Sequence, residues 1–432
     1  MLAVSRRAGR RAAAAFVAAT ARWATPALAA ALLALAAPAS AVPASAEGSA
    51  FDPDAFFASG DAARPAGSAA QAADAPAVFP PAAGTPGGLR LNGEAAASAG
   101  VAVLSPFDSA ASAAQYAGSG SLRLNAIGGD RNAAKFEASV SLETLYGAAA
   151  DKAAALPAAG LLVARPAPDG PAIVLGLEKL FVSVHTPLAD IAAGRMIVNY
   201  GRGGALSPVD LFATVGLAGT ELTRSPNDAA RVRVPFGSFS GLDLVSTLHP
   251  SPAQGVVGAR QYGYLAGLDY GLSAFRDGRE AGALVAGLDA KFDLILGWSM
   301  EAVARLPWET GAPAIAGAGY SLMLGADYSV GGKLFLDAEL EWNLGELAMV
   351  RPPAGYQTAP RLRGFGSVSL TIDELSTVDL RALVDADGAY QLSFAAARSI
   401  AAGARAILFA QLADSAPAPQ SLSVGASLSV AF

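Results

Sequence analysis

From Leu89 onward, apolar and polar residues alternate with a period of two over stretch after stretch of the chain. In 333–344 the apolar set Leu334, Leu336, Ala338, Leu340, Trp342 and Leu344 faces away from Lys333, Asp337, Glu339, Glu341 and Asn343. In 296–306 Leu296, Trp298, Met300, Ala302, Ala304 and Leu306 oppose Ser299, Glu301 and Arg305, and in 284–292 the apolar partners oppose Asp289 and Lys291. Period two is the mark of a β-strand with two different faces. Similar strands are expected near 88–103, 118–127, 133–146, 172–185, 191–200, 231–248, 257–275, 320–330, 361–372, 377–386, 389–398, 403–413 and 421–432. The total is about sixteen, within a range of 14 to 18.

Long links alternate with short ones. The stretches 104–117, 147–171, 201–230, 307–314 and 348–360 are long, while 128–132, 186–190, 331–332, 373–376 and 399–402 are short. An even number of antiparallel strands with short turns at one end and long loops at the other is the pattern of an up-and-down barrel that spans an outer membrane. The terminal stretch "SLSVGASLSVAF" has neither charge nor proline to blunt an open edge. A last strand that closes against the first, near Leu89 to Val103, has no edge to hide.

The apolar faces carry aromatic residues near their ends. Tyr320 and Tyr328 lie on one strand, eight residues apart. At a tilt of about 40° they are separated by roughly 20 Å along a barrel axis, close to the height of an outer-membrane apolar band. Rings at both edges of such a band sit at its interfaces.

Composition fits this picture. Hydrophobic residues make up 53% and mean hydropathy is +0.39, yet no apolar run of helical-span length follows residue 41. Arg6, Arg7, Arg10 and Arg11, the apolar stretch 26–37 and Ala39-Ser40-Ala41 read as a signal peptide over 1–41, with Ala46 as a second cleavage point. Residues 42–86, rich in Ala, Pro, Gly and Ser, read as a flexible periplasmic linker, and 87–432 as the barrel. Loss of 1–41 removes five arginines and no acid, which moves the formal charge from -6 to -11. An acidic chain argues against nucleic acid as a partner. With no cysteine, stability comes from burial or closure of the sheet rather than disulfides.

The polar faces supply a candidate lumen set: Asp289, Lys291, Glu301, Arg305, Lys333, Asp337, Glu339, Glu341, Arg361, Arg363, Asp379 and Arg381. Opposed charges across a wet pore bias ion choice, and the run Asp337, Glu339, Glu341 leans toward cations. The least generic stretch is "GRMIVNYGRGGALSPVDLF", 194–212. Its glycines and proline suit a tight loop, which could fold into the lumen and bring Arg202 to a constriction with Arg195 and Asp210 at its base, or equally stay an exposed loop with a locally paired Arg and Asp.

Gly194, Arg195, Tyr200, Gly201, Pro208 and Asp210 resemble a motif of bacterial outer-membrane porin-like barrels, with Met196 where glutamine is usual. Terminal Phe432 resembles the aromatic signal read by the barrel assembly machinery. The resemblance implies an outer-membrane location after signal cleavage, with membrane lipid, assembly machinery, periplasmic chaperones and small solutes as partners, and a homotrimer as one allowed assembly.

Catalysis is not expected. The two histidines, His185 and His249, each fall near a strand end at a periplasmic turn, and no serine motif accompanies them. Neither a cofactor nor a metal site with ligand spacing is read. "RDGREAG" and "DADG" are turn chemistry. The expected function is a porin-like channel for small hydrophilic solutes or ions. The alternatives are a hydrophobic-substrate channel plugged by 42–86 or 201–230, and a closed barrel serving as a surface adhesin or structural protein.

Overall fold

The computed structural model describes residues 87–106, 113–130, 133–150, 162–164, 170–212, 215–216, 223–224, 226–249, 251–279, 282–309, 312–315, 317–344, 361–415 and 418–432. The expected signal peptide and linker lie outside the described residues.

Eighteen strands form one closed antiparallel barrel: β1 (Gly87–Leu104), β2 (Ala113–Asp130), β3 (Ala134–Gly147), β4 (Ala172–His185), β5 (Asp190–Met196), β6 (Asn227–Pro235), β7 (Gly241–Thr247), β8 (Val256–Leu265), β9 (Leu268–Asp277), β10 (Ala283–Asp293), β11 (Gly297–Glu309), β12 (Gly319–Val330), β13 (Leu334–Leu344), β14 (Leu362–Asp373), β15 (Ser376–Asp385), β16 (Tyr390–Ala401), β17 (Ala404–Ser415) and β18 (Ala418–Ala431). Each pairs with the next, and β18 pairs with β1 from Glu94↔Ala431 to Leu104↔Ser421. Phe432 completes the seam: its N–H donates to Gly93 O at 2.9 Å and its carbonyl accepts from Gly93 N at 2.8 Å. Closure leaves no orphaned ladder at the termini, which a lipid environment requires.

The count is eighteen rather than sixteen because two expected strands are hairpins. Residues 231–248 contain the second half of β6, a turn at 236–240 and β7; residues 257–275 contain most of β8, a turn at 266–267 and most of β9. The second turn places Ala266 at φ 51° and Gly267 at φ 89°, a two-residue turn of the kind that matches strand twist. Alanine at the first left-handed position carries no turn signal, and the hairpin marks the chain only by a one-residue slip of phase, with outward positions odd up to Leu265 and even from Leu268. The expected strand 191–200 is also shorter: β5 stops at Met196.

All eight links at one rim are short: 131–133, 186–189, 236–240, 266–267, 294–296, 331–333, 374–375 and 402–403. The long links lie at the other rim. Outward positions are apolar and exposed, among them Leu124, Leu142, Val182, Leu244, Leu272, Leu288, Leu324, Leu340, Leu370, Leu380, Leu408 and Leu428. Two aromatic girdles bound this belt. Tyr116, Tyr146, Trp308, Tyr320 and Trp342 stand at the strand ends nearest the long loops, and Phe136, Tyr270, Phe292, Trp298, Tyr328 and Phe432 at the ends nearest the short turns. Large apolar side chains face outward because their solvent is lipid; in water the same belt would drive aggregation.

Candidate functional site

The wall opens inward after β5. Gly194 adopts φ 130°, and a Cβ there would meet Leu180 O at 2.1 Å, so the last turn of the strand accepts only glycine. Beyond Met196 the chain leaves the sheet, and residues 197–212 lie inside the barrel. Their apolar side chains, Val198, Tyr200, Val209, Leu211 and Phe212, pack with inward-facing Ala229, Val245, Val256, Phe275, Val285 and Val303 into one buried cluster. The Tyr200 ring stacks on Phe275 at 5.6 Å and meets the edge of Phe212 at 5.5 Å, with Arg231 and Arg260 over its faces at 5.5 and 5.7 Å. Burial drives the Tyr200 phenol above its usual pKa range. One side of the lumen is thus a dry core held between a loop and the inner wall.

Two wall carboxylates anchor the loop tip. Glu301 of β11 accepts from the backbone N–H of Arg202, Gly203 (2.8 Å) and Val209 (3.0 Å) and from the Ser207 hydroxyl (2.9 Å). Glu339 of β13 accepts from the N–H of Gly204, Ala205 (3.1 Å) and Leu206 (2.6 Å). Six backbone donors of an irregular segment, which would otherwise be buried without partners, are satisfied by these two side chains. A second cluster, Ala205, Leu206, Met323 and Phe365, seals the tip against β12 and β14.

Arg202 reaches back across the same wall. Its Nε donates to Asp289 Oδ1 at 2.8 Å, and Nη1 and Nη2 clasp Asp269 at 2.8 and 2.7 Å. Arg260 donates to the same Asp289 at 2.6 and 3.1 Å. Burial alone would lower the pKa of Arg202; Asp289 and Asp269 more than offset it and hold the guanidinium above its ordinary value. Further pairs extend the network, Arg231 with Asp243, Arg279 and Arg305 with Asp277, and Arg363 with Asp385.

The motif residues divide between two sides of the wall. Tyr200, Gly201, Arg202, Pro208 and Asp210 lie in the lumen loop, where Asp210 accepts from Phe212 N–H at 3.1 Å. Arg195 does not hold the loop base from within. It alternates with lumen-facing Gly194 and Met196, so its side chain points outward. There it forms a bidentate pair with Asp228, both contacts at 2.8 Å, and donates to Leu177 O at 3.2 Å, a β4 carbonyl opposite the point where β5 ends.

Of the expected lumen set, Asp289, Glu301, Arg305, Glu339, Glu341 and Arg363 face inward and are buried. Lys291, Asp337, Asp379 and Arg381 face inward and are half-buried. Lys333 is exposed in the turn 331–333, and Arg361 is exposed at the long-loop rim ahead of β14; neither belongs to the inner wall at membrane depth. His185 sits at the short-turn rim with Nδ1 at 2.8 Å from Asp190 Oδ1, whereas His249 lies at the opposite rim, not at a short turn, beside Ser251. The inward partners Asp243, Arg260, Asp269 and Asp277 were not singled out, although their place on the polar phase of an alternating strand was a usable signal.

The opposite side of the lumen differs. Among the described residues no inward side chain of β17, β18, β1 or β2 is buried, and most are serine, asparagine, glutamine, alanine or glycine.

A closed, belted barrel with a polar interior is a bacterial outer-membrane β-barrel. Solved structures share this fold: OccAB4 of Acinetobacter baumannii (TM-score 0.53, 7% identity, covering 79% of this chain and 97% of that one), OccK5 (OpdH) of Pseudomonas aeruginosa (0.52, 9%, 79% and 98%), and the outer membrane protein OpdK of Pseudomonas aeruginosa (0.50, 10%, 79% and 98%). No family model and no curated protein matches the sequence.

Proposed function

We propose that the protein is a passive diffusion channel for small hydrophilic solutes and ions, narrowed at mid-depth by residues 197–212. The observation that carries this reading is the division of the lumen. The loop packs onto β5–β14 and leaves the polar inner faces of β17, β18, β1 and β2 uncovered. A barrel of eighteen strands has room for an aqueous passage beside such a loop.

The weak cation preference expected from Asp337, Glu339 and Glu341 rests chiefly on Asp337. Glu339 is spent on the loop, and Glu341 is buried with Arg363 at 3.7 Å, whereas Asp337 stays half-open beside Asp327. Conductance of the refolded protein in a planar bilayer, with a salt gradient across it, tests both parts. Stable unitary steps with a cation-leaning reversal potential that fades in Asp337→Asn are expected. An inserted, folded barrel without steps would overturn the channel.

A further inference from the structure

The inner wall that faces the open passage holds one feature the loop does not explain. Inward positions of β18 read Ser421, Ser423, Gly425, Ser427 and Ser429, a serine row broken once by glycine. The break has a cause on the neighbouring strand. The Phe409 ring of β17 reaches over Gly425, where a Cβ would meet its Cζ at 2.5 Å. On its other flank Phe409 pairs with Ala395 of β16, so neither neighbour walls the ring in. Phe275 and Phe365, the other inward phenylalanines near mid-depth, are buried in the clusters behind the loop, while Phe409 belongs to no buried cluster among the described residues.

An apolar ring turned toward a wet passage is unfavourable unless something covers it. The groups around it are uncharged. Gln411 pairs with Ser423 just above the ring, and Ser427 lies on the step below, paired with inward Ile407, which extends the apolar face. The nearest inward ionisable groups in the ladder are Asp379, two strands away at the same level, and Arg381, two strands across and two residues along, roughly 10 and 12 Å by strand spacing and rise. An aromatic ring offers its π-face to polarised C–H groups, and hydroxyl and amide side chains beside it can each donate and accept hydrogen bonds. That combination suits a solute with an apolar face and a hydroxylated rim, and gives a carboxylate or ammonium no counter-charge.

We propose that Phe409, seated on Gly425 and edged by Gln411, Ser423 and Ser427, is a recognition patch for uncharged hydroxylated solutes of monosaccharide size. The inference rests on the channel reading above.

Glucose, gluconate and glucosamine, equal in size and different in charge, serve as probes, with saturable change in single-channel current and swelling of protein-loaded liposomes as readouts. Glucose is expected to act saturably and the two charged probes not. In Phe409→Ala the half-saturating glucose concentration should rise about tenfold, the scale of one lost stacking contact, with salt conductance kept. Ser423→Ala/Ser427→Ala should weaken glucose to a lesser degree; it leaves the ring in place and stands in if Phe409→Ala does not fold, as read by heat-modifiable gel mobility. Salt steps with no saturable glucose effect, or equal saturation by gluconate, would overturn the patch and leave the channel standing. The absence of salt steps from an inserted barrel would overturn both.

Discussion

The inner face of β9 and that of β18 are built from the same alternation but have opposite fates. On β9, Gly271, Ser273, Phe275 and Asp277 are all buried beneath the loop, its core and its ion pairs. On β18, none of the inward residues from Ser421 to Ser429 is buried. The difference lies in what stands in front of each strand: a loop whose backbone donors and apolar side chains demand partners, or water. One half of the barrel behaves as the core of a small globular protein, the other as the wall of a vessel.

Several substitutions separate the halves, beginning with the one that would erase the distinction. Glu301→Ala/Glu339→Ala removes both anchors of the loop tip; each charged hydrogen bond contributes on the order of 1.5–3 kcal/mol. Unitary conductance should rise and become noisy as the loop leaves the wall, and unchanged steps would show that the apolar cluster alone holds it. Asp289→Ala strips the shared partner of Arg202 and Arg260, a loss of about 3–5 kcal/mol for a broken buried pair, visible as a fall in the denaturant midpoint.

Phe275→Ala empties the middle of the dry half and should cost about 3–5 kcal/mol. Phe409→Ala, which removes a ring of the same size from the open half, should cost less in the same unfolding assay, and equal losses would deny the asymmetry. The smallest contrast lies within β18. Leu428→Arg places a charge on the lipid face, at about 2–4 kcal/mol near the midplane. The adjacent Ser427→Arg faces water and should leave stability nearly unchanged while it shifts the reversal potential toward anions.

Individual elements show how much of this could be read from residues alone. The strand 333–344 was legible, because Trp342 and Leu340 on one phase and Glu339 and Glu341 on the other leave a single way to orient it. The hairpin at Ala266–Gly267 was not, because alanine there carries no turn signature and the turn shows only as a one-residue slip of phase between Leu265 and Leu268. The loop 201–212 was recognisable as a loop that could enter the lumen, yet its anchors were mistaken. Arg195 turned outward because strand phase, not proximity in sequence, decides which side of the wall a residue serves. Glu301 and Glu339 read as pore lining because nothing local tells an acid facing water from an acid facing three backbone amides.

The sequence by itself determined the two-faced strands, the lipid-facing belt with its aromatic edges, and an even, closed barrel whose last residue meets its first strand, since each follows from period-two chemistry repeated along the chain. Only the tertiary structure decided which inward polar residues remain wet. That depends on where a loop from one strand pair lands among strands about a hundred residues further on, at Glu301 and Glu339. It also depends on which ring settles over which glycine, as Phe409 does on Gly425. Such contacts are set by packing across the lumen and leave no period in the chain.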